Sequence, residues 1–520
     1  MIYLIEIDAF DPAANAVTTL RFGSTGYTTT PSDAPPNAHF ESGVINAGNY
    51  DRHLFAPGTT GGSPTVGAGE IVIANADGEL DDLLDLAFDG RALRIYGLTG
   101  RSSPWASRTP LLVGTLEQAE FSWTRVTFRI RDRLALLEEP IQAEVYKGTT
   151  VAGGMKEAEG TADLKDRPKS LLFGRAFQIP AVLSNAYDLV YQISSRPLAS
   201  IDAVYDGAVP LTKGTDYPTI AALVTASLSP GTYGTCLAKG SFRLNSKPDG
   251  NVTADASEGA AGQRSAARTV RRILEGAGFV AGADFLVSDV DALHAANGAE
   301  VGVWLDADAA EILGVATGLL DAIGGYLVPD RLGRYRLGRL TAPAATAEET
   351  FDASLALDRG AGLERIATND SGSGVPAWKV TLHYARAYQT QGGTELDVAT
   401  SDAIKAFVKE EWRTVTASSD ATKAAHKLAT EIEANTALTT VADAQAEAAR
   451  RLALNSIRRD RYRVAVPADA AAAIDLGDTV ALDFDRFGLS GGKNFVVIGM
   501  EESFAADEDR ISSTTLDLWG

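Results

Sequence analysis

Paired carboxylates are the residues of this sequence that could most directly do chemistry, because a glycosidase needs only two of them. Adjacent acids occur at Asp81/Asp82, Glu138/Glu139, Glu410/Glu411 and Glu501/Glu502. Neighbouring side chains on a strand or helix point apart, whereas a glycosidase pair comes from separate elements that face one cleft. With 68 Asp and Glu in 520 residues, such doublets arise by chance. The sequence therefore predicts no catalytic residues and no enzyme activity.

The histidines and the cysteine also lack the spacing of a chemical site. Five histidines are spread along the chain, at His39, His53, His294, His383 and His426. The single cysteine, Cys236, excludes an intrachain disulfide and any zinc site or iron–sulfur cluster that needs several thiolates from this chain. We interpret Cys236 as a small buried hydrophobe. No phosphate-binding Gly-x-x-x-x-Gly-Lys-Ser/Thr loop is present, and we expect neither a metal site nor a cofactor.

One acidic run has the oxygen ligands and the glycine of a calcium loop. It reads Asn75-Ala-Asp-Gly-Glu-Leu-Asp-Asp82. It lacks the spacing and the terminal bidentate glutamate of an EF-hand. The sequence favours an Asx turn between two strands at this position.

The charge balance limits the possible partners. The chain has 47 Lys and Arg against 68 Asp and Glu, a formal net charge of −21. Such a chain repels phosphate backbones, so sequence-nonspecific binding to DNA or RNA is not expected. Two interpretations stay open: plain solubility, or an acidic surface that nucleic acid passes without binding. No apolar run approaches the ~18 residues of a membrane-spanning helix, and we expect no membrane segment.

The order of the elements predicts how the chain is organised. Alternating apolar residues predict strands in the first 145 residues, and Gly, Pro, Ser and Thr predict one long loop over 23–69, of the kind that is usually functional or an assembly contact. Residues 246–264 are rich in Gly, Ala and Asp and predict a linker. Ser265 is a predicted N-cap. Helices are predicted over 265–277, 401–412, 420–433 and 438–457, and strands again over 461–520. The predicted fold class is α+β, β-rich and multidomain.

Three segments, taken in order, resemble a known family. Residues 69–96 resemble the N-terminal domain of phage tail-tip and baseplate hub proteins. Residues 304–340, with a strand–Asp-x-x-Gly–strand hairpin, look like the α/β insert of that family. The C-terminal stretch 444–519 has a helix, then Arg461-Tyr-Arg-Val-Ala-Val466 and Leu476-Gly-Asp-Thr-Val480. That order is similar to the closing domain of the central hub of long-tailed phages and related tail-like particles.

The resemblance implies a structural role in a virion tail, assembled in the bacterial host cytoplasm. A homotrimer with tube-like β-barrels would close the distal tail tube, connect it to receptor-binding components and open for DNA ejection. The implied partners are distal tail tube proteins, the tape-measure protein and tail fibre or receptor-binding proteins, with genomic DNA crossing the lumen without specific binding. Some hubs of this type hold an iron–sulfur cluster through several cysteines, which Cys236 alone cannot do.

The same resemblance yields an expected domain division. The expected domains are 1–145, an N-terminal tube-like β-barrel with the long loop 23–69; 146–250, a β domain; 260–345, an α/β insert; 346–460, a strand plus helices; and 461–520, C-terminal β strands that complete a barrel.

Two other functions stay open from the sequence. The first is a distal tail adaptor or a host-surface protein that binds a glycan or receptor, for which Trp105, Trp123 and Trp412 could stack on sugars. The second is a polysaccharide-degrading tail enzyme, which would need one of the carboxylate pairs above.

Overall fold

Strands dominate the structure, a computed structural model that describes residues 1–56, 59–306, 310–357, 362–366, 376–393, 396–505 and 512–520. The chain is a β-rich α+β protein with several sheets and few helices, as its sequence predicts. No helix in the described part of the chain is long and apolar enough to cross a membrane.

The N-terminal part is a meander of strands around an apolar core. Its strands are β1 (Ile2–Asp11), β2 (Ala16–Gly23), β3 (Tyr27–Thr28), β4 (His39–Ser42), β5 (Val44–His53), β6 (Thr65–Ala68), β7 (Glu70–Ala74), β8 (Ala92–Leu98), β9 (Thr109–Ser122) and β10 (Arg125–Arg131). In β10, Val126, Phe128 and Ile130 are buried while Arg125 and Arg129 are exposed, the period-2 pattern of a strand with one face inward. The core contains these three side chains together with apolar residues of β1, β5, β7, β8 and β9.

The middle of the chain forms two five-stranded sheets and a helical layer. Its elements are β11 (Leu171–Pro180), β12 (Val182–Asn185), β13 (Val190–Gln192), β14 (Ser200–Asp206), β15 (Val209–Pro210), β16 (Thr212–Asp216), α1 (Ile220–Thr225), β17 (Thr232–Cys236), β18 (Ser241–Leu244), β19 (Val252–Ser257), α2 (Ala266–Gly276), α3 (Val287–Ala296), β20 (Gly302–Leu305), α4 (Ile312–Asp321), β21 (Gly325–Pro329) and β22 (Tyr335–Arg339). The sheets have the orders β15-β14-β19-β11-β20 and β12-β13-β18-β17-β16. Helix α2 follows Ser265 as predicted and buries Val270, Ile273 and Leu274 on one face.

The C-terminal part returns to strands after a small helical region. Its elements are β23 (Glu349–Asp352), β24 (Leu363–Ile366), β25 (Ala377–Tyr384), α5 (Asp402–Lys409), β26 (Arg413–Ser418), α6 (Asp420–Ala425), β27 (Thr430–Asn435), α7 (Val441–Asn455), β28 (Arg461–Pro467), β29 (Thr479–Asp483), β30 (Lys493–Ala505) and β31 (Ser513–Trp519). Strands β26, β25 and β27 form a separate three-stranded sheet. Helix α7 begins after Thr440, whose side chain accepts a hydrogen bond from the Asp443 N–H and so caps the first turn.

One ladder joins the two ends of the chain. Strand β30 pairs with β29 through its first residues and with β5 through its last, from Gly499 opposite His53 to Ala505 opposite Asn46. The N-terminal and C-terminal strands thereby form one 16-stranded sheet in the described part of the chain. This junction is not visible in the sequence, because its partners lie about 450 residues apart.

The N-terminal run of strands curls until its two ends meet at Gly43. Strand β4 pairs with β2 and strand β5 pairs with β7, and Gly43 alone separates β4 from β5. The Gly43 N–H donates to the carbonyl of Gly23 (3.1 Å), and the Gly43 carbonyl accepts from the N–H of Ala74 (2.8 Å). Among the described strand pairings no closed ladder is found. The two ends of this run of strands are joined instead through the backbone of Gly43, whereas the resemblance implied a closed tube-like barrel.

Three expectations about local structure are wrong. Residues 23–69 are not one loop, because they contain β3 to β6. Strand β5 lacks a regular apolar alternation and is defined by its pairing with β7 on one edge and with β30 on the other. The predicted linker 246–264 contains β19, the central strand between β14 and β11. The predicted helix 420–433 stops at Ala425, and the alternating sequence of Thr430–Asn435 forms strand β27.

The apolar cores cross the expected domain boundaries. The largest cluster of buried side chains includes Phe173 of β11, Val270 of α2, Leu320 of α4 and Val380 of β25. A separate cluster fills the C-terminal strands, with Phe351, Tyr462 and Leu516 among its members. The five-domain division stays a prediction.

Candidate functional site: a buried ionic junction

Arg52 on β5 is completely buried and lies where three parts of the chain meet. Its Nη1 donates to the carboxylate of Asp475 (2.8 Å) and to the backbone carbonyl of Pro329 (3.2 Å). Its Nη2 lies 3.3 Å from the carboxylate of Glu502 on β30. A buried cation is stable only when it is paired, so these contacts fix β5 against β30, the β21–β22 hairpin and the segment before β29.

Arg331 completes the set from the tip of the β21–β22 hairpin. Its Nε donates to Glu502 (2.8 Å), and its Nη1 and Nη2 donate to the carbonyls of Ala472 (2.8 Å) and Ala471 (3.2 Å). Its own carbonyl accepts from the N–H of Val113 on β9 (2.8 Å). We call Arg52, Arg331, Asp475 and Glu502 the ionic junction, because they connect the N-terminal strands, the hairpin and the C-terminal strands.

The hairpin tip is shaped by Asp330. Its carboxylate accepts from the N–H groups of Leu332 (2.9 Å) and Arg334 (2.8 Å) and pairs with the Arg334 guanidinium (2.7 Å). Gly333 follows at a φ of +71°, and a Cβ there would lie 2.8 Å from the carbonyl of Val113. The Asp-x-x-Gly turn predicted from the sequence is therefore present, and it brings Arg331 to the junction.

The other side of the hairpin is held by the segment after β10. Arg133 pairs with Asp284 (3.0 Å), and the Tyr335 hydroxyl donates to the Arg133 carbonyl (2.7 Å). Asp132 next to it accepts from the N–H of Leu134 (2.9 Å). Burial raises the pKa of Asp132 to about 6, and the Leu134 hydrogen bond offsets only part of that effect.

Arg52 keeps its charge in the junction at neutral pH. Burial lowers the pKa of Arg52, but the nearby carboxylates of Asp475 and Glu502 outweigh it and raise that pKa above its ordinary value. Burial also raises the pKa of Tyr50, whose ring lies 5.6 Å from the Arg52 guanidinium. The groups are two guanidinium side chains and two acidic side chains, and their contacts link separate elements of the chain.

The carboxylate doublets occupy different surroundings. Both acids of Asp81/Asp82, Glu138/Glu139 and Glu410/Glu411 are exposed. In the fourth doublet Glu501 is exposed and Glu502 is buried in the ionic junction. Alternation along β30 is the sequence signal that could have separated these two. Arg52 carries no such signal, because the sequence predicts a loop where β5 lies, and Asp475 lies outside the strands, in the segment before β29.

The other predicted residues have structural surroundings. Asn75 accepts from the N–H of Leu80 (2.9 Å) and donates to Asp81 (2.9 Å), which confirms the turn. Cys236 is buried in an apolar cluster. His383 on β25 lies 2.8 Å from Glu433. Among the described residues, no group of three or more His, Cys, Asp or Glu side chains is placed to hold a metal ion.

The three tryptophans considered for sugar stacking differ in exposure. Trp105 is buried and packs on Phe40 with ring centroids 5.3 Å apart. Trp123 is 93% exposed in the tight turn between β9 and β10. Trp412 lines a groove of about 350 Å³ beside α4, where the Arg386 guanidinium lies 5.5 Å from its ring and 4.7 Å from that of Tyr388. Only Trp123 and Trp412 are accessible to a partner.

The chain was compared with known proteins. No family model and no curated protein matches it. Similar solved structures include the 43 kDa tail protein of prophage MuSo2 from Shewanella oneidensis, with 8% identity, a TM-score of 0.42 and coverage of 100% of this chain and 97% of that chain. Prophage tail protein gp18 from Listeria monocytogenes EGD-e has 10% identity, a TM-score of 0.40 and coverage of 99% and 94%. A chain from the virion of a native gene transfer agent particle has 17% identity, a TM-score of 0.42 and coverage of 68% and 84%.

Two of these proteins are prophage tail proteins and the third belongs to a virion. At these identities and TM-scores no role is transferred from them, and the proposals below rest on the residues and contacts of this chain.

Proposed function

We propose that the chain is a structural subunit of a virion tail and acts there as the central hub. In this role it closes the distal end of the tail tube, connects the tube to receptor-binding components and opens for DNA ejection. It works by holding and changing an arrangement of its parts, without turnover. The ordered resemblance of segments 69–96, 304–340 and 444–519 to hub proteins supports this proposal.

The observation that carries the mechanism is the ionic junction. A gate must hold its parts in one arrangement and still be able to release them. Separating ion pairs returns charged groups to water, which recovers most of the desolvation cost of burying them. Arg52 and Arg331 from the N-terminal strands and the hairpin face Asp475 and Glu502 from the C-terminal part, so this contact suits a link that opens.

The net charge fits a DNA path. Three subunits at −21 each carry 3 × −21 = −63. Acidic walls repel phosphate, so DNA would pass through the lumen of a homotrimer without binding. Tube proteins, a tape-measure protein and fibre proteins are the proposed neighbours of such a ring.

The proposed role is tested by locating the chain in the particle. Particles that carry an epitope tag on this chain are labelled with a gold-conjugated antibody and imaged by electron microscopy. We expect gold at the distal tip of the tail, and particles without this chain should lack a closed tail end. Label along the tube or on the head, or normal infectious particles without the chain, would contradict the proposal.

The groove at Trp412 favours a second candidate function, that of a distal adaptor or host-surface binding protein. Its aromatic rings and the exposed Arg386 could hold a glycan or a receptor loop. Hexamers with no closed channel would favour this alternative over the hub.

A further inference from the structure

Strand β27 forms one edge of the sheet β26-β25-β27 and pairs with β25 alone among the described strands. Its side chains alternate, with Glu431, Glu433 and Asn435 exposed and the residues between them half-buried. The unpaired edge of a strand presents a row of N–H and C=O groups to another extended chain. We propose that β27 accepts an extended segment of a partner protein as a fourth strand, a binding mode that does not depend on the hub role.

The backbone bonds of β27 show which of its groups are free. The N–H of Thr436, the next residue, donates to the carbonyl of His383 on β25 (2.9 Å). Successive residues of a strand direct their backbone groups to opposite edges, so the half-buried residues of β27 bond to β25. The N–H and C=O groups of Glu431, Glu433 and Asn435 therefore point to the other edge. No backbone partner for them is found among the described residues.

Strand β20 already contacts this edge just beyond β27. The N–H of Gly302 in β20 donates to the carbonyl of Ala437 (2.9 Å), which continues the alternate series of residues that ends β27 at Asn435. From there β20 pairs with β11 and forms no further ladder with β27. The groove of about 350 Å³ beside α4 is lined by residues of both strands. An added strand would therefore continue along an edge at which one strand contact is already made.

The groove has room for the side chains of such a strand. Helix α4 contributes Gly314 and Gly318 to its wall, both exposed, and a Cβ at either would meet no atom within 4 Å. An added strand would direct every second side chain to the half-buried side of β27. On that side the apolar residues of β20 and β27 pack against one core cluster; they are Val303, Leu305, Ile432 and Ala434. Apolar residues at these alternate positions of the partner would extend that cluster.

The exposed side of β27 selects the charge of the partner. The side chains of Glu431 and Glu433 are 51% and 70% exposed, and Lys379 and His383 contact them from β25 only. Opposite charges on neighbouring strands stabilise a sheet and like charges destabilise it. The partner segment should therefore carry lysine or arginine between its apolar positions. Strand β27 of a second copy does not fit, because it would place glutamate beside glutamate.

The charged groups within the groove do not oppose this choice. Arg386 is paired with Glu411 (2.9 Å), and Arg175 lies 3.4 Å from Asp202. Glu311 is exposed at the rim. An α-helix would not pair with the free edge, because it uses its backbone groups internally. The free edge and its two glutamates thus favour an extended segment with alternating apolar and basic residues.

The test measures fluorescence polarisation of a labelled eight-residue peptide of alternating valine and lysine, mixed with the full chain at about 0.15 M salt. We expect a dissociation constant of about 0.1 mM and at least about tenfold weaker binding of the valine–glutamate counterpart. Two N-methylated isomers carry the same charge, one methylated on the valine amides and the other on the lysine amides. Only one set of amides can face β27, so one isomer should lose binding and the other should keep it.

Matched variants assign the binding to the edge and to the groove. Glu433→Pro and Glu433→Ala remove the same carboxylate, but only proline also removes the N–H from the free edge. The proline variant should bind the valine–lysine peptide at least about tenfold more weakly than the alanine variant. Gly318→Leu fills the groove and should weaken binding, whereas Gly100→Leu, at a loop position that also has open space, should leave it unchanged. Melting temperatures report whether each variant is folded.

Three results would overturn the proposal. One is no binding of the valine–lysine peptide by the folded chain. Another is equal binding of the two N-methylated isomers, which means attraction by charge without strand pairing. The third is equal binding by the proline and alanine variants of Glu433. If Glu433→Pro does not fold, the N-methylated isomers and the two Gly→Leu variants decide.

Discussion

At the scale of single residues, Arg52 is the side chain on which the structure depends most. It is buried and is held by Asp475 and Glu502. Replacing it by methionine leaves the buried Glu502 with one cation, Arg331, and leaves Asp475 with no ion pair within 4 Å among the described residues. Removing one partner of a buried ion pair typically costs about 3–5 kcal/mol of unfolding free energy.

Urea unfolding of Arg52→Met, followed by circular dichroism, is expected to show a loss of this size. The control is Arg463→Met, because Arg463 pairs with Glu501 at the surface of the neighbouring strands and should cost less than about 1 kcal/mol. Equal midpoints for the two variants would contradict the structural role assigned to Arg52.

Asp132 predicts a pH dependence. Burial raises the pKa of this carboxyl to about 6, above the ordinary value of 3.8, so the folded chain favours its protonated form. That favourable contribution is complete below about pH 4 and is lost as the pH rises through 6. Asp132→Asn keeps an N-cap acceptor and removes the charge.

The free energy of unfolding of Asp132→Asn should therefore exceed that of the unmodified chain above pH 6, by up to about 3 kcal/mol, and approach it near pH 4. Unfolding at pH 4, 6 and 8 measures the difference. Asp11→Asn, a matched change at an exposed turn, controls for the loss of one charge. A less stable Asp132→Asn at pH 8 would contradict the expected sign.

At the scale of elements, replacing glycine by alanine should have opposite effects on stability in the β5–β30 ladder and in helix α4. A Cβ on Gly499 in β30 would lie 2.1 Å from Nδ1 of His53 and 3.0 Å from the Cβ of Asp517, whereas a Cβ on Gly314 in α4 meets no atom within 4 Å. Gly499→Ala should destabilise the chain by about 1–3 kcal/mol through overpacking. Gly314→Ala should stabilise it by about 0.5–1 kcal/mol, since alanine is the better helix former.

Melting temperatures of the two variants measure this contrast. The chemical change, Gly→Ala, is the same at both positions. A Gly499→Ala chain that melts at or above the temperature of the unmodified chain would show that the ladder is not packed as described.

The β9–β10 hairpin offers a separate test of assembly. Trp123 is 93% exposed at its turn, so Trp123→Ser should change the unfolding free energy of the isolated chain by less than about 0.5 kcal/mol. Exposed tryptophans are typical of interface anchors, and we expect the variant to lose at least about tenfold in incorporation into particles. Quantification of the chain in purified particles measures this loss. Normal incorporation would exclude Trp123 from the assembly contacts.

Elements with a strong local pattern could be predicted from the sequence, and those defined by distant partners could not. Helix α2 has Ser265 at its N-cap position and an apolar stripe, strand β10 has its alternation, and the Asp330–Gly333 turn has its aspartate and glycine. Strand β5 has no such local pattern. Its ladder with β30 and its buried Arg52 depend on residues more than 420 positions away, so the sequence near β5 does not predict them. The ionic junction was missed for the same reason.

At the scale of the whole molecule, the N-terminal and C-terminal strands share one sheet, so the two ends of the chain are linked. Deleting residues 23–69 removes β5 and exposes the edge of β30, so we expect that deletion to destabilise the C-terminal strands as well. At this scale the net charge of −21 bears on the proposed function through the acids of several subunits that would surround a shared DNA channel.

The central claim, a hub formed by three copies, is tested most directly by the mass and shape of the purified full-length chain. Light scattering coupled to size-exclusion chromatography gives the mass, and negative-stain class averages of the same peak give the shape. One chain has a mass of 54.7 kDa, so a trimer corresponds to 3 × 54.7 = 164.1 kDa. The proposal predicts that mass together with a ring around a central channel. A monomer, or a hexamer without a closed channel, across the measured concentration range would contradict it.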